Sequence, residues 1–200
     1  MEKDIANLTT LVLCLVIVEL LVYMFMAKQV LLLLTPAMFI FGDSLIDSGN
    51  NNYIPTIAKA DYFPYRVDFG LPTGRFCNGL TAADYAALYL GLPLIPPYLS
   101  ALSKGRNILN GLNYASAAAG ILNETGQHFG ARIPFNAQIS QFETTIRLHL
   151  QLFFENPDML NQYLAKSVFL INVGSNNYIN NYLQPNRKYD FNSTKFRTFS

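Results

Sequence analysis

Residues 37–42 read AMFIFG and run directly into Asp43-Ser44-Leu45. Ala37–Phe41 is wholly apolar and rich in aromatic residues, and it stops at Gly42. It is too short for a stable helix and lacks the alternation of a half-exposed strand, so it reads as a strand buried on both faces. Ser167–Val173 (SVFLINV), ending at Gly174, is a second strand of the same kind. Helical signals lie between the two. Thr81–Leu90 has a threonine N-cap and Gly91 as its stop. Asn136–Phe154 carries Ile139, Phe142, Ile146, Leu150 and Phe153 three or four residues apart, which predicts one long amphipathic helix. Asp158–Ala165 is a shorter helix beginning just after Pro157. Buried strands alternating with helices predict an α/β protein with a parallel sheet covered on both sides.

Composition narrows the function classes. The chain has 200 residues, 51% hydrophobic and 14% charged, which excludes a disordered protein and fits one domain with a separate terminal segment. A net charge of +1 supplies no field that selects nucleic acid or an acidic lipid surface. Cys14 and Cys77 are the only cysteines, so neither a disulfide framework nor a thiolate-only zinc site is present. His128 and His149 are the only histidines, a restriction on any mechanism that needs an imidazole base.

The amino-terminal stretch is a separate matter. Residues 8–27 hold two eight-residue apolar runs, 11–18 and 20–27, split by Glu19, and Val30–Leu34 adds a third. Two readings lead, a secretory signal peptide over residues 1–27 or an uncleaved membrane anchor of the same extent, ahead of a buried core helix. Residues 28–35 then form an apolar linker, and 36–200 the folded domain. Both readings send the chain into the secretory route, either secreted or membrane-anchored. The sequons Asn123-Glu124-Thr125 and Asn192-Ser193-Thr194 fit that compartment. Once the first 27 residues are set aside, Cys77 is a lone cysteine. The basic residues Arg187, Lys188, Lys195 and Arg197 near the carboxyl end read as a solvated face.

Chemistry in open α/β sheets collects where the strands end at their carboxyl side. Three loops compete: Gly42–Leu45, Asn113–Ile121 (NYASAAAGI) and Gly174–Asn177. Taken singly, each reads as an ordinary turn or a close-packing segment. Together they bring a serine, a glycine N–H and an asparagine amide to one sheet edge. That is the equipment of acyl transfer: a hydroxyl to attack a carbonyl, and donors where the oxyanion develops.

The stretches PAMFIFGDSLIDSGNNNY and PTGRFCNG, then GLNYASAAAGILNETGQHFGARI, then FLINVGSNNYINNYL resemble the ordered blocks of the plant GDSL esterase/lipase family, within the SGNH hydrolases. The resemblance covers about residues 36–184. It implies a three-layer, flavodoxin-like α/β fold with a central parallel sheet, and hydrolysis of carboxylic or acyl-lipid esters. By position, Ser44 would be the nucleophile and its own N–H an oxyanion donor. Gly120 would give a second backbone donor and Asn176 a side-chain donor. Asn177 stands where the family usually has aspartate, with a modest effect expected. The family's base is a histidine in a late Asp-x-x-His block, and neither His128, in a loop, nor His149, on a solvated helix position, has that context. The catalytic His and Asp are thus absent from these residues, and the carboxyl-terminal part of the fold is expected to be missing with them.

Three readings follow. The chain is the amino-terminal portion of a secreted ester hydrolase, a non-catalytic protein that binds acyl esters without the base, or a membrane-anchored form that touches lipid through residues 8–34. The partner in each case is an ester or acyl-lipid substrate rather than nucleic acid. Serine acyl transfer needs no cofactor and no metal, and no ligand cluster at metal spacing is present.

Overall fold

The computed structural model of the chain describes residues 12–26, 35–68, 70–100 and 105–183. The chain divides into two compact units, Met1–Thr35 and Pro36–Ser200. In the first, residues 12–26 form helix α1, exposed along its whole length. No helix among the described residues is long and apolar enough to cross a membrane. The remainder of the signal or anchor segment, nearly all of the 28–35 linker, the sequon at Asn192 and the basic residues near the carboxyl end lie outside the described residues.

The second unit is built on β1 (Met38–Gly42), whose five residues are all buried. It pairs in parallel with β2 (Val168–Asn172), in register from Met38 opposite Val168 to Gly42 opposite Asn172. On its other edge β1 bonds the segment 112–116. The Ile40 N–H donates to the Leu112 carbonyl at 3.0 Å, and the Tyr114 and Ser116 N–H groups donate back to the carbonyls of Ile40 and Gly42 at 2.8 and 3.1 Å. Residues 96–98 bond this segment in turn through Asn113, again in parallel. The sheet therefore has β1 in its interior, which is why a continuous apolar run is stable there.

Alternate residues of β1 enter different cores. Ala37, Phe39 and Phe41 join Leu112, Tyr114, Leu150 and Leu160, with Phe142 and Ile146 of α3 (Phe135–Leu148) and Tyr163 and Leu164 of α4 (Pro157–Lys166) packed against them. Met38 and Ile40 pack with Ile95 and with Ala83 and Ala87 of α2 (Ala82–Tyr89). The period-two pleat thus sends one strand's side chains to helices of different origin.

Helix α2 follows its sequence signals closely. Thr81 caps it in a reciprocal box with Asp84, and Gly91 takes a φ of 73° beyond its end. Asp84 also receives the fork of the buried Arg75, with Nε–Oδ2 at 2.7 Å and Nη2–Oδ1 at 2.8 Å. Burial pushes the Asp84 carboxyl up, but the Arg75 fork and the Thr81 donors prevail and hold it below its ordinary range. The PTGRFCNG stretch is in this way clasped to α2.

Two expectations are corrected. The helix predicted over 136–154 is α3 and a separate 3-10 turn, Leu150–Phe153, divided at His149, whose φ of −125° and ψ of −58° break the α-helix. The tighter turn seats Leu150 fully in the core while Leu152 stays 75% exposed. The buried face of α3 is also rotated from the apolar stripe. Gln138 and Thr145 are fully buried, whereas Ile139 is 41% exposed. Both polar side chains are satisfied: Thr145 accepts from the Tyr114 hydroxyl at 2.8 Å, and Gln138 bonds the end of β1. The second correction concerns β2, expected to be buried on both faces. Phe169 is 44% and Ile171 58% exposed, because among the described residues only β1 flanks this strand.

Gln138 defines where β1 stops. Its Oε1 accepts from the Gly42 N–H at 2.8 Å, and its Nε2 donates to the carbonyls of Gly42 and Ile133, both at 2.8 Å. Replacing Gln138 with leucine leaves the buried Gly42 N–H without an acceptor, and a loss of about 1–3 kcal/mol in unfolding free energy is expected. Urea denaturation followed by circular dichroism reads that loss; an unchanged midpoint would show that the bracket is dispensable.

Candidate active site

Ser44 follows β1 by two residues. Its turn is closed by Asp43: the Asp43 carbonyl accepts from the N–H groups of Ile46 and Asp47 at 3.2 and 3.0 Å, and its carboxylate accepts from the Leu45 N–H at 3.1 Å. Gly42 is required here by contact, since a Cβ would lie 2.1 Å from the Asn172 carbonyl of β2. Ser44 is half-buried, and neither its N–H nor its hydroxyl makes a hydrogen bond among the described residues.

The Gly174-Ser175-Asn176-Asn177 turn leaves β2 at the same end, with Gly174 at a φ of 131°. Its three polar side chains each grip a different neighbour. Ser175 donates to Asp43 Oδ2 at 2.8 Å, joining the two strand ends. Asn176 Nδ2 donates to the Ala119 carbonyl at 2.9 Å, and its Oδ1 accepts from Asn180 at 3.0 Å. One Nδ2 proton of Asn176 is left over. Asn177, which is buried, accepts from the Ile121 N–H at 2.9 Å and donates to Thr125 Oγ1 at 3.0 Å.

The alanine-rich segment 113–121 is shaped from beneath by side-chain amides. Asn50 Nδ2 donates to the carbonyls of Asn113 and Ala115, both at 2.8 Å, and Asn51 bonds the Ala117 carbonyl at 3.1 Å. Ala118 is held at a φ of 64°, a strained conformation for a residue with a Cβ. Gly120 is confined by contact: a Cβ there would come within 2.5 Å of Asn177 Oδ1 and Thr125 Cγ2. The Gly120 N–H is not engaged among the described residues.

Ser44 and Asn176 line one cleft of about 270 Å³, walled by Ile57, Tyr62, Tyr65, Phe76 and Phe129, with Lys59 as the only charge among the described residues that line it. Gly120 is not among the lining residues, although its neighbours Ala119 and Ile121 are bonded to Asn176 and Asn177. Neither histidine shares the cleft. His128 is exposed and lies against Phe129 with ring centroids 4.0 Å apart, while His149 is exposed and lines a different cavity with Tyr98 and Thr145. Among the described residues no group of three potential metal ligands comes together.

The amino-acid sequence identifies the family when set beside known proteins. Residues 38–197 match the model of the GDSL-like lipase/acylhydrolase family. The chain belongs to that family. It is 71% identical over 154 residues to GDSL esterase/lipase 7 of Arabidopsis thaliana, an alignment covering 77% of this chain and 42% of that protein. A second Arabidopsis thaliana GDSL esterase/lipase is 54% identical over 166 residues, covering 82% of this chain and 42% of its own length. The chain therefore spans about two fifths of the length of these curated relatives. No solved structure gives a significant match.

Reading for chemistry alone left out several residues that hold this GDSL domain together: Asp43 with Ser175, the buried Asp47, the amides Asn50, Asn51 and Gln138, and the aromatic wall. The run SGNNNY was the available signal, since adjacent carboxamides in an apolar context bond backbone that no strand satisfies. Asn177 also does more than its position beside Asn176 suggested, because it braces the segment that carries Gly120.

Asp47 is fully buried and accepts from the N–H groups of Gly49, Asn50 and Ala117 at 2.7, 2.8 and 3.1 Å. Burial pushes its carboxyl up to about 6, against the opposing pull of these donors. A folded pKa above the unfolded one means that the folded state holds the proton more tightly. The stabilising contribution is then present below about 4 and is lost as pH rises through about 6. The stability of the native chain relative to Asp47→Asn should rise on lowering pH from 7.5 to 4.5, by roughly 2 kcal/mol. Thermal unfolding of both at each pH tests this, and a difference independent of pH would contradict it.

Proposed function

We propose that this protein is a serine ester hydrolase of the secretory route, acting on carboxylic esters through Ser44. The observation that carries the reading is the placement of Ser44 and Asn176 in one cleft at the carboxyl ends of two adjacent parallel strands. The unengaged N–H groups of Ser44 and Gly120 support it. In this reading Ser44 Oγ attacks the ester carbonyl, and the negative charge of the tetrahedral intermediate meets the N–H groups of Ser44 and Gly120 and the spare Nδ2 proton of Asn176. Neither His128 nor His149 lines the cleft, so this reading takes the general base from a different residue. The family resemblance assigns it to an Asp-x-x-His block that these 200 residues do not contain. A three-layer, flavodoxin-like arrangement fits the distribution of the two cores about β1.

The test joins the 200 residues in frame to the part of the 71% identical Arabidopsis thaliana relative beyond the aligned stretch. The chimera should hydrolyse p-nitrophenyl butyrate, and Ser44→Ala should lower kcat by about 10⁴-fold or more. Asn176→Ala should lose about 10²–10³-fold, as for removal of one oxyanion donor. A folded chimera that is equally active with Ser44→Ala overturns the proposal. A folded but silent chimera that still binds esters points instead to the acyl-ester-binding reading.

Secretion carries its own test. Asn123 is exposed on a turn pinned by Arg132, whose guanidinium donates to the carbonyls of Asn123 and Thr125. Expressed in plant cells, the protein should lose mass on treatment with an N-glycosidase, and Asn123→Gln should remove one glycan's worth of that shift. Retention of the full shift in the variant would exclude glycosylation at Asn123.

A further inference from the structure

Resting on that reading, we infer that the cleft beside Ser44 selects a compact aromatic ester carrying an anionic group, and not a long alkyl chain. The walls argue for the ring. Tyr65 stands edge-on to Tyr62 and to Phe76, with centroids 5.5 and 5.6 Å apart, and Phe129 forms a further part of the wall. Such rings receive another aromatic group by edge-to-face or offset contact. The wall is anchored: the Phe129 carbonyl accepts from the Ile57 N–H and from the Thr56 hydroxyl, both at 2.9 Å, and the Ala58 carbonyl accepts from the buried Asn51 at 2.8 Å.

The polar groups argue for the anion. Among the described residues, Lys59 is the only charged one lining the cleft, and no carboxylate lines it. Its ammonium makes one long bond, 3.4 Å to the Asn52 carbonyl, and no ion pair among the described residues. At least two of its three protons are therefore available to a ligand. The hydroxyls of Tyr62 and Tyr65 make no hydrogen bond among the described residues either, so both can donate. A long alkyl chain would cover these groups without pairing them, and burying an unpaired ammonium or hydroxyl is unfavourable. Size points the same way. A volume of about 270 Å³ is just below the ~300–1,000 Å³ usual for small-molecule sites.

Monomethyl terephthalate, dimethyl terephthalate and methyl octanoate separate the alternatives. Each is titrated by calorimetry and ligand-observed NMR into the 200-residue chain carrying Ser44→Ala, which prevents turnover. Monomethyl terephthalate is expected to bind tightest and methyl octanoate weakest. Lys59→Met should weaken the monoester roughly fivefold and leave the diester unchanged, while Phe129→Ala weakens both aromatic ligands. Should Lys59→Met fail to fold, raising the salt concentration replaces it, since screening weakens only the charged ligand. Methyl octanoate binding as tightly as the monoester, or a monoester affinity indifferent to both Lys59→Met and salt, overturns the inference. Ser44-dependent turnover in the chimera with the ligand order reversed defeats this inference alone. The expected order in a chimera that never turns over defeats the hydrolase reading and leaves the ligand class standing.

Discussion

The strand β1 ends inside the protein, and something must satisfy the backbone where it ends. Beyond Gly42 the pairing with β2 gives way to a turn, and on the other side the segment 112–121 leaves its partner after Ser116. Buried peptide groups without partners are strongly disfavoured, so the structure meets this need with side-chain amides. Gln138 brackets Gly42, Asn50 and Asn51 hold the carbonyls of the alanine-rich segment, and Asn113 donates to the Ile46 carbonyl at 2.6 Å. Remove these amides and the three loops have no common frame.

That frame explains why polar residues occupy helical and turn positions that composition would assign to the core. Gln138 is fully buried on α3 beside the apolar stripe, because an amide there bonds both polar groups of one glycine. Asp47 is buried for the same reason, its oxygens gathering N–H groups from the turn after Ser44 and from Ala117. Each such group is desolvated at a penalty that only full hydrogen bonding offsets. The network consequently has few alternative arrangements, and it holds the three loops in fixed relation.

The turn after β2 converts this rigidity into a site. Ser175, Asn176 and Asn177 are consecutive, yet each contacts a different part of the chain: Asp43, Ala119, and Ile121 with Thr125. The turn that carries Ser44 and the segment that carries Gly120 are thereby tied to one short element. The carboxamide at Asn177 needs no charge for this, because its oxygen accepts from a backbone N–H and its nitrogen donates to a hydroxyl.

Much of this was legible in the residues alone. The unbroken apolar run of β1, the Thr81 cap with its Gly91 stop, and the order of the GDSL blocks are local signals, written in periodicity and in turn chemistry that neighbouring residues decide among themselves. Those signals settled the α/β class and brought Ser44, Gly120 and Asn176 forward as candidates. They did not show which face of α3 is buried, where that helix breaks, or that β2 has one neighbour among the described residues, since each depends on what lies across the core. Nor did they show the wall of Tyr62, Tyr65, Phe76 and Phe129 or the position of Lys59 beside Ser44. Those residues come from turns separated by tens of positions, and only the long-range hydrogen bonds that fold the 50s against 117 and 129 place them around one cleft.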